Sequence, residues 1–218
     1  MESLLQWNIL FEHWDTYMQG FGNTVKASLI ALVASFILGA VIAVFRISPV
    51  KPLNWFGAAY VEFLRNIPLL LIVWLVYLTA GNLKLPFDGF RSGTFALTIY
   101  TSAFIAEAIR AGIQAVPKGQ MEAGRSSGLT YLQTMRYIIL PQALRIVIPP
   151  LGNQFLNLVK NSSVLAVIGG MDLMYFGDII STEVFVTFSV YIFVAMFYLV
   201  LTIPISFGVR YLEKRLAL

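Results

Sequence analysis

Between Gly119 and Ser126 the chain reads GQMEAGRS: two glycines with four residues between them, then a cation and a hydroxyl. That is the glycine spacing of a loop whose backbone N–H groups and lysine cradle phosphates. Arg125 occupies the lysine position, no strand pattern precedes the loop, and no parallel-sheet pattern occurs elsewhere. ATP is therefore not expected to bind this chain. Gly124 and Gly128 also fit Gly-x-x-x-Gly, but Arg125, Ser126 and Ser127 between them exclude a lipid-buried helix seam.

A second constellation lies in IPPLGNQFLNLVKNSS, where Asn153, Asn157, Lys160 and Asn161 recur at three- and four-residue intervals along one helix face. Ser162 and Ser163 extend it. A polar face is costly in lipid and must turn toward protein or a wet cavity. An amino acid crossing there needs a cation or N–H donors for its carboxylate and oxygens for its ammonium. Lys160 is the candidate cation, with Asn157, Asn161, Ser162 and Ser163 beside it. Glu107, in AEAIR, is the candidate anion, although Arg110 one turn later offers it a purely structural partner. The amide face suits hydrogen bonding to another subunit equally well.

Other chemistry is absent from the pattern. His13 has no second ligand nearby, so no metal site is expected. The chain has no cysteine, which removes disulfides, thiolate metal sites and catalytic thiols. No paired catalytic carboxylates or clustered histidines support a membrane enzyme. Asn161-Ser162-Ser163 fits a glycosylation sequon but falls in a predicted span.

These residues need elements to hold them. The 218 residues are 58% hydrophobic and only 12% charged, an integral membrane composition with length for a single membrane domain, 1–218. Apolar runs at 24–45, 60–80, 93–112, 145–169 and 186–209 predict five spans, the fourth interrupted at Pro149, Pro150 and Gly152. Glu62 and Arg65 are expected to pair where the second span begins. Residues 1–20 lack a basic leader, so no cleavable signal peptide is expected. Trp7 and Trp14 suit an extracellular or interfacial segment there. Placing the C-terminus inside puts 11 of the 15 basic residues on the cytoplasmic side, so the charge of +4 records topology rather than nucleic acid. The tyrosines and phenylalanines of 185–198 read as lipid-facing or packing residues.

Residues 117–141 then form the largest cytoplasmic loop. Pro117 suits a helix start, Glu122 lies in the early turns where the dipole favours a carboxylate, and Gly128 is placed to stop the helix. Thr130 with Gln133 makes a capping box for a second short helix, and Pro141 disfavours helix at Leu140. Matched start and stop signals, with small residues Ala123, Gly124 and Gly128, favour a docking element over a solvated connector.

The run EAGRSSGLTYLQTMRYIILP, Glu122 to Pro141, resembles the EAA loop of bacterial ABC importer permeases. Glu122, Ala123, Gly128, Leu140 and Pro141 match; Gly124 replaces the usual second alanine. FIAEAIRAGIQAVPKGQ, LPQALRIVIPPLGNQFLNLVKNSSVLAVIG and RNIPLLL are similar to the polar amino acid uptake subfamily, which takes histidine, arginine, glutamine or glutamate. KNSS resembles the glutamine and glutamate members. The resemblance implies the type I permease fold: an all-α integral membrane protein of five spans with a cytoplasmic coupling helix. It also implies an ATP-binding cassette dimer that uses ATP and Mg, a second permease that is identical or paralogous, and an extracellular substrate-binding protein. No cofactor is implied for this chain. Its place would be the bacterial cytoplasmic membrane, with the N-terminus outside and the C-terminus inside. A stand-alone channel or secondary transporter is the alternative; it would need ion-coupling residues and repeated topology.

Overall fold

The computed structural model describes residues 5–216, and its regular structure is helical throughout them. In chain order the elements are α1 (Trp7–Glu12), α2 (Trp14–Ile47), α3 (Lys51–Asn66), α4 (Leu69–Asn82), α5 (Gly89–Ala115), α6 (Lys118–Ser126) and α7 (Tyr131–Thr134). A π turn (Met135–Ile139), α8 (Leu140–Asn161), a 3-10 segment (Ser162–Ile168), α9 (Leu173–Val184) and α10 (Thr187–Leu216) complete it. By length and composition α2, α5 and α10 can each cross a membrane alone, and two bent pairs bring the number to as many as five.

Three expectations about the spans change. The run 60–80 is not one rod, because α3 and α4 meet at 110°. Pro68 lacks an N–H and holds Ile67 at φ −106°, ψ 136°, which ends α3. The first spanning helix begins at Trp14 rather than near residue 24, so much of the 1–20 segment is already part of α1 and α2; residues 1–4 lie outside the described residues. The helix from Tyr131 to Ile168 is continuous, so α7 is the base of the fourth span and neither Pro141 nor the Pro149–Pro150 pair interrupts it.

Packing explains the continuity. The missing donor of Pro141 is absorbed by the π turn, in which the Leu140 N–H reaches back to the Met135 carbonyl. Gln142 Nε2 also donates to the Ile138 carbonyl at 2.8 Å. Farther along, α8 is pressed between α5 and α10. A Cβ on Gly112 would stand 2.0 Å from Val147, and one on Gly152 would stand 2.7 Å from Val209. These contacts bracket the proline pair, and neighbouring helices of this kind are what let prolines persist in spans.

Charged side chains mark two levels. Residues 26 to 46 of α2 cover about 30 Å at 1.5 Å per residue, the thickness of a hydrocarbon core. Residues 91 to 110 of α5 cover roughly 28 Å by the same rise. Lys26 lies over the Phe90 ring beside Arg91, while Arg46 and Arg110 both reach Glu107, so the two rulers agree at both ends. One level is the α6 end and the other is the α9 end. Beyond Lys26, α1, α9 and the starts of α2 and α10 form a separate core around Tyr17, Leu173, Ile180 and Phe193. Here two of the aromatic residues of 185–198 pack between helices, Phe193 against Trp7 and Phe197 against Trp14, while Phe185 and Phe188 are exposed.

Candidate functional site

The α6 end presents the predicted docking helix. Pro117 precedes its first turn, and the helix ends where Gly128 takes φ +85°, a left-handed conformation suited to glycine. Leu129 N–H donates to the Gly124 carbonyl and Gly128 N–H to the Arg125 carbonyl, the paired bonds of a Schellman stop. Thr130 and Gln133 then close the capping box in both directions. Met121 and the buried Gly124 face the π turn, with Met121 in a small core containing Val116, Ile139 and Ala143. Glu122, Ala123 and Arg125 face outward. Glu122 makes no hydrogen bond or ion pair among the described residues.

Gly124 has a steric role that its sequence position did not disclose. A Cβ there would stand 2.5 Å from Thr134 Cγ2 and 3.0 Å from Ile138 Cδ1. Overpacking of this kind costs about 1–3 kcal/mol. Gly124→Val is therefore expected to lift α6 off the π turn and lower the thermal midpoint of the purified protein by roughly 2–12 °C, with Gly124→Ala losing less. An unchanged midpoint of Gly124→Val would contradict this packing.

Glu107 is the hub of an ion cluster at the same end. Arg110 grips both of its oxygens, Nε to Oε2 at 2.9 Å and Nη2 to Oε1 at 2.5 Å. Arg46 Nη2 approaches Oε2 at 3.2 Å from α2, and Arg65 Nη1 approaches Oε1 at 3.9 Å from α3. The expected Glu62–Arg65 pair does not form: Asn66 Nδ2 donates to the Glu62 carbonyl at 2.7 Å, while Arg65 turns to Glu107 and over the Phe104 ring. Arg46 and Arg65 were missed as partners of Glu107. The available signal was that all three arginines counted to one side, with Glu62 and Glu107 the acids at that level.

The amide and lysine face divides. Asn157 and Asn161 line a pocket of about 220 Å³ with Tyr100, Thr101, Phe104 and Gln154, between α5 and α8. Lys160 and Ser163 face a different cleft of about 300 Å³, with Met174, Tyr191 and Tyr198 of α9 and α10. Ser162 is buried and donates to the Val159 carbonyl at 2.7 Å, and Ser163 donates to the Lys160 carbonyl at 2.9 Å. Asn153 is exposed. Glu107 lines neither space, so the structure does not bring the candidate cation and anion together. At the α9 end, fully buried Asp172 accepts from Met174 N–H at 3.1 Å to cap α9, and burial pushes its carboxyl up to about 7. The Tyr198, Thr24 and Ser162 hydroxyls share this spot. The described residues contain no group of three or more His, Cys, Asp or Glu able to hold a metal ion.

Residues 20–218 match the family described as the binding-protein-dependent transport system inner membrane component. The chain belongs to this family of ABC importer permeases. It is 66% identical over 209 residues to the probable glutamine ABC transporter permease protein GlnM of Bacillus subtilis, covering 96% of this chain and 97% of the relative. It is 36% identical to the glutamate transport system permease protein GluC of Corynebacterium glutamicum, covering 92% and 93%. Among solved structures, one titled as an amino acid ABC transporter with histidines aligns at 36% identity and TM-score 0.91, covering 97% and 99%. The MetNI methionine ABC transporter aligns at 19% identity and TM-score 0.70, a likeness of fold.

The permease is thus a multi-pass membrane subunit that works with a separate ATPase subunit and pairs with another permease. The stand-alone channel and secondary transporter alternatives fall with that membership. Its α6 occupies the stretch that resembles the EAA loop, and the pocket at Asn157 lies between the middle of α5 and the C-terminal end of α8.

Proposed function

We propose that this permease imports glutamine, delivered by an extracellular substrate-binding protein, across the bacterial cytoplasmic membrane. The observation that carries the substrate is the 66% identity to a probable glutamine permease along 96% of the chain. The α6 end faces the cytoplasm and the N-terminus lies outside, as the excess of basic residues at that end supports. Glu122, Ala123 and the helix stop at Gly128 form the surface that enters the ATPase subunit, while Gly124 and Pro141 set how α6 sits on its support. ATP and Mg are held by that partner.

The continuous helix from Tyr131 to Ile168 supports a lever mechanism. Gln142 Nε2 lies 3.3 Å from Gln120 Oε1, and Met121 packs in the core under the π turn, so α6 and the base of α8 form one body. When the ATPase dimer closes, α6 moves and α8 carries the displacement to Asn157, Asn161 and Lys160. The two spaces that these residues line would open in turn, one toward each side. Lys160 then meets the glutamine carboxylate on entry, and the Asn157–Asn161 pocket receives it next.

Reconstitution with the cognate ATPase and binding protein in liposomes tests this reading. ATP-dependent uptake of labelled glutamine is expected, outcompeting histidine and arginine. Preferred uptake of a cationic amino acid would remove the substrate assignment. In the same assay Lys160→Ala is expected to slow glutamine uptake about 10-fold or more, the loss of a charge-assisted bond, without affecting subunit assembly. Unchanged uptake kinetics would take Lys160 off the path.

A further inference from the structure

The most exposed large apolar side chain in the described protein is Phe185, at 90%. It joins α9 to α10 in a left-handed conformation, φ 55°, which a bulky aromatic adopts only under strain. The turn is not slack. Tyr191 Oη donates to Asp178 Oδ1 at 2.5 Å, and a Cβ on Gly177 would stand 2.7 Å from Val194, so the two helices are locked just behind the tip. Phe188, next along, is 59% exposed.

Lipid does not explain this surface. Tyr198 lies beside Thr24 and Asp172, two residues past the level marked by Lys26. From Tyr198 the helix runs another eleven residues to Thr187, roughly 16 Å at 1.5 Å per residue, so Phe185 stands clear of the acyl chains. Along the chain from 161 to 209 the charged residues are all acids: Asp172, Asp178 and Glu183. No lysine, arginine or histidine occurs between Lys160 and Arg210, whereas Asp178 and Glu183 border a hollow of about 480 Å³ together with Tyr175, Ile179 and Thr182.

We propose that the Phe185 tip and the acidic hollow along α9 are the surface on which the substrate-binding protein docks. This rests on the orientation and function proposed above. A rigid aromatic anchor beside a charged rim has the anatomy of a binding hot spot, with the ring supplying affinity and the rim supplying association rate. The family description itself makes transport binding-protein-dependent. The strained, pre-organised turn reduces the ordering cost of the encounter. The complementary patch on the partner is apolar with a basic border.

The complete transporter in lipid nanodiscs tests this by titration with glutamine-loaded binding protein, reading ATP hydrolysis. Phe185→Ala is expected to raise the half-maximal binding-protein concentration roughly 10- to 100-fold, leaving the saturating and basal rates unchanged. Phe185→Gly, which suits the left-handed backbone and removes the ring, is expected to do the same. Glu183→Lys should give a smaller shift that shrinks at high salt. An unshifted half-maximal concentration in both Phe185 variants overturns the docking surface. So does loss of permease pairing in native mass measurements, which would assign the tip to the second permease. A wild-type transporter that no binding protein stimulates would instead overturn the functional reading on which the proposal rests.

Discussion

Glu122→Lys is expected to abolish ATP-driven uptake while the permease still inserts, folds and pairs. Glu122 is exposed, and no hydrogen bond or ion pair holds it within the chain, so its replacement removes no internal contact. Surface changes of that kind normally move stability by no more than about 0.5 kcal/mol. At a docked interface the same reversal sets a cation against whatever the carboxylate faced. Breaking a buried charged contact there costs about 2–5 kcal/mol, or roughly 30-fold and upward in affinity for the ATPase subunit. The measurement is paired: uptake in liposomes and the thermal midpoint of the purified permease. Uptake within a factor of about two of wild type would end the docking role of this residue, and a large fall in the midpoint would make its role internal.

Glu107→Gln carries the other large effect, with the opposite signature. Its carboxylate is the acceptor shared by Arg46, Arg65 and Arg110, and the Arg46 side chain is only 12% exposed. Removing the shared acceptor of a part-buried ion cluster leaves the arginines uncompensated, at a cost of about 1.5–3 kcal/mol, the worth of hydrogen bonds to a charged group. Each kcal/mol corresponds to about 2–4 °C in a chain of this size, so the thermal midpoint should fall by roughly 3–12 °C. The clamp reading also predicts coupling. Arg46→Gln added to Glu107→Gln should cost less than the sum of the single changes, because the second substitution removes a stranded charge. If Glu107 instead touched substrate, the variant would raise the half-saturating glutamine concentration at an unchanged midpoint.

Much of this arrangement was legible from neighbouring residues. The Thr130–Gln133 capping box, the stop at Gly128 and the Glu107–Arg110 pair all form as expected, since each involves groups within about one helical turn. The reading failed where a local rule met a tertiary contact. Pro149 and Pro150 were expected to interrupt the fourth span, but Gly112 and Gly152 let α5 and α10 clasp α8 on either side of them. Pro68 did end a helix, yet nothing in RNIPLLL announces that the next one leaves at 110°.

By itself, then, the sequence determined that the chain is helical and membrane-embedded, that a capped polar helix interrupts it, and which family that helix resembles. Hydropathy, caps and motif spacing are properties of residues close along the chain, and they survive whatever the rest of the fold does. Tertiary structure alone decided that Arg46 and Arg65 converge on Glu107, that Asn157 and Lys160 open onto different spaces, and that Phe185 stands free above the α9 end. Those outcomes depend on how helices distant in sequence rotate and approach when they pack, and the periodicity of a single helix leaves that rotation open.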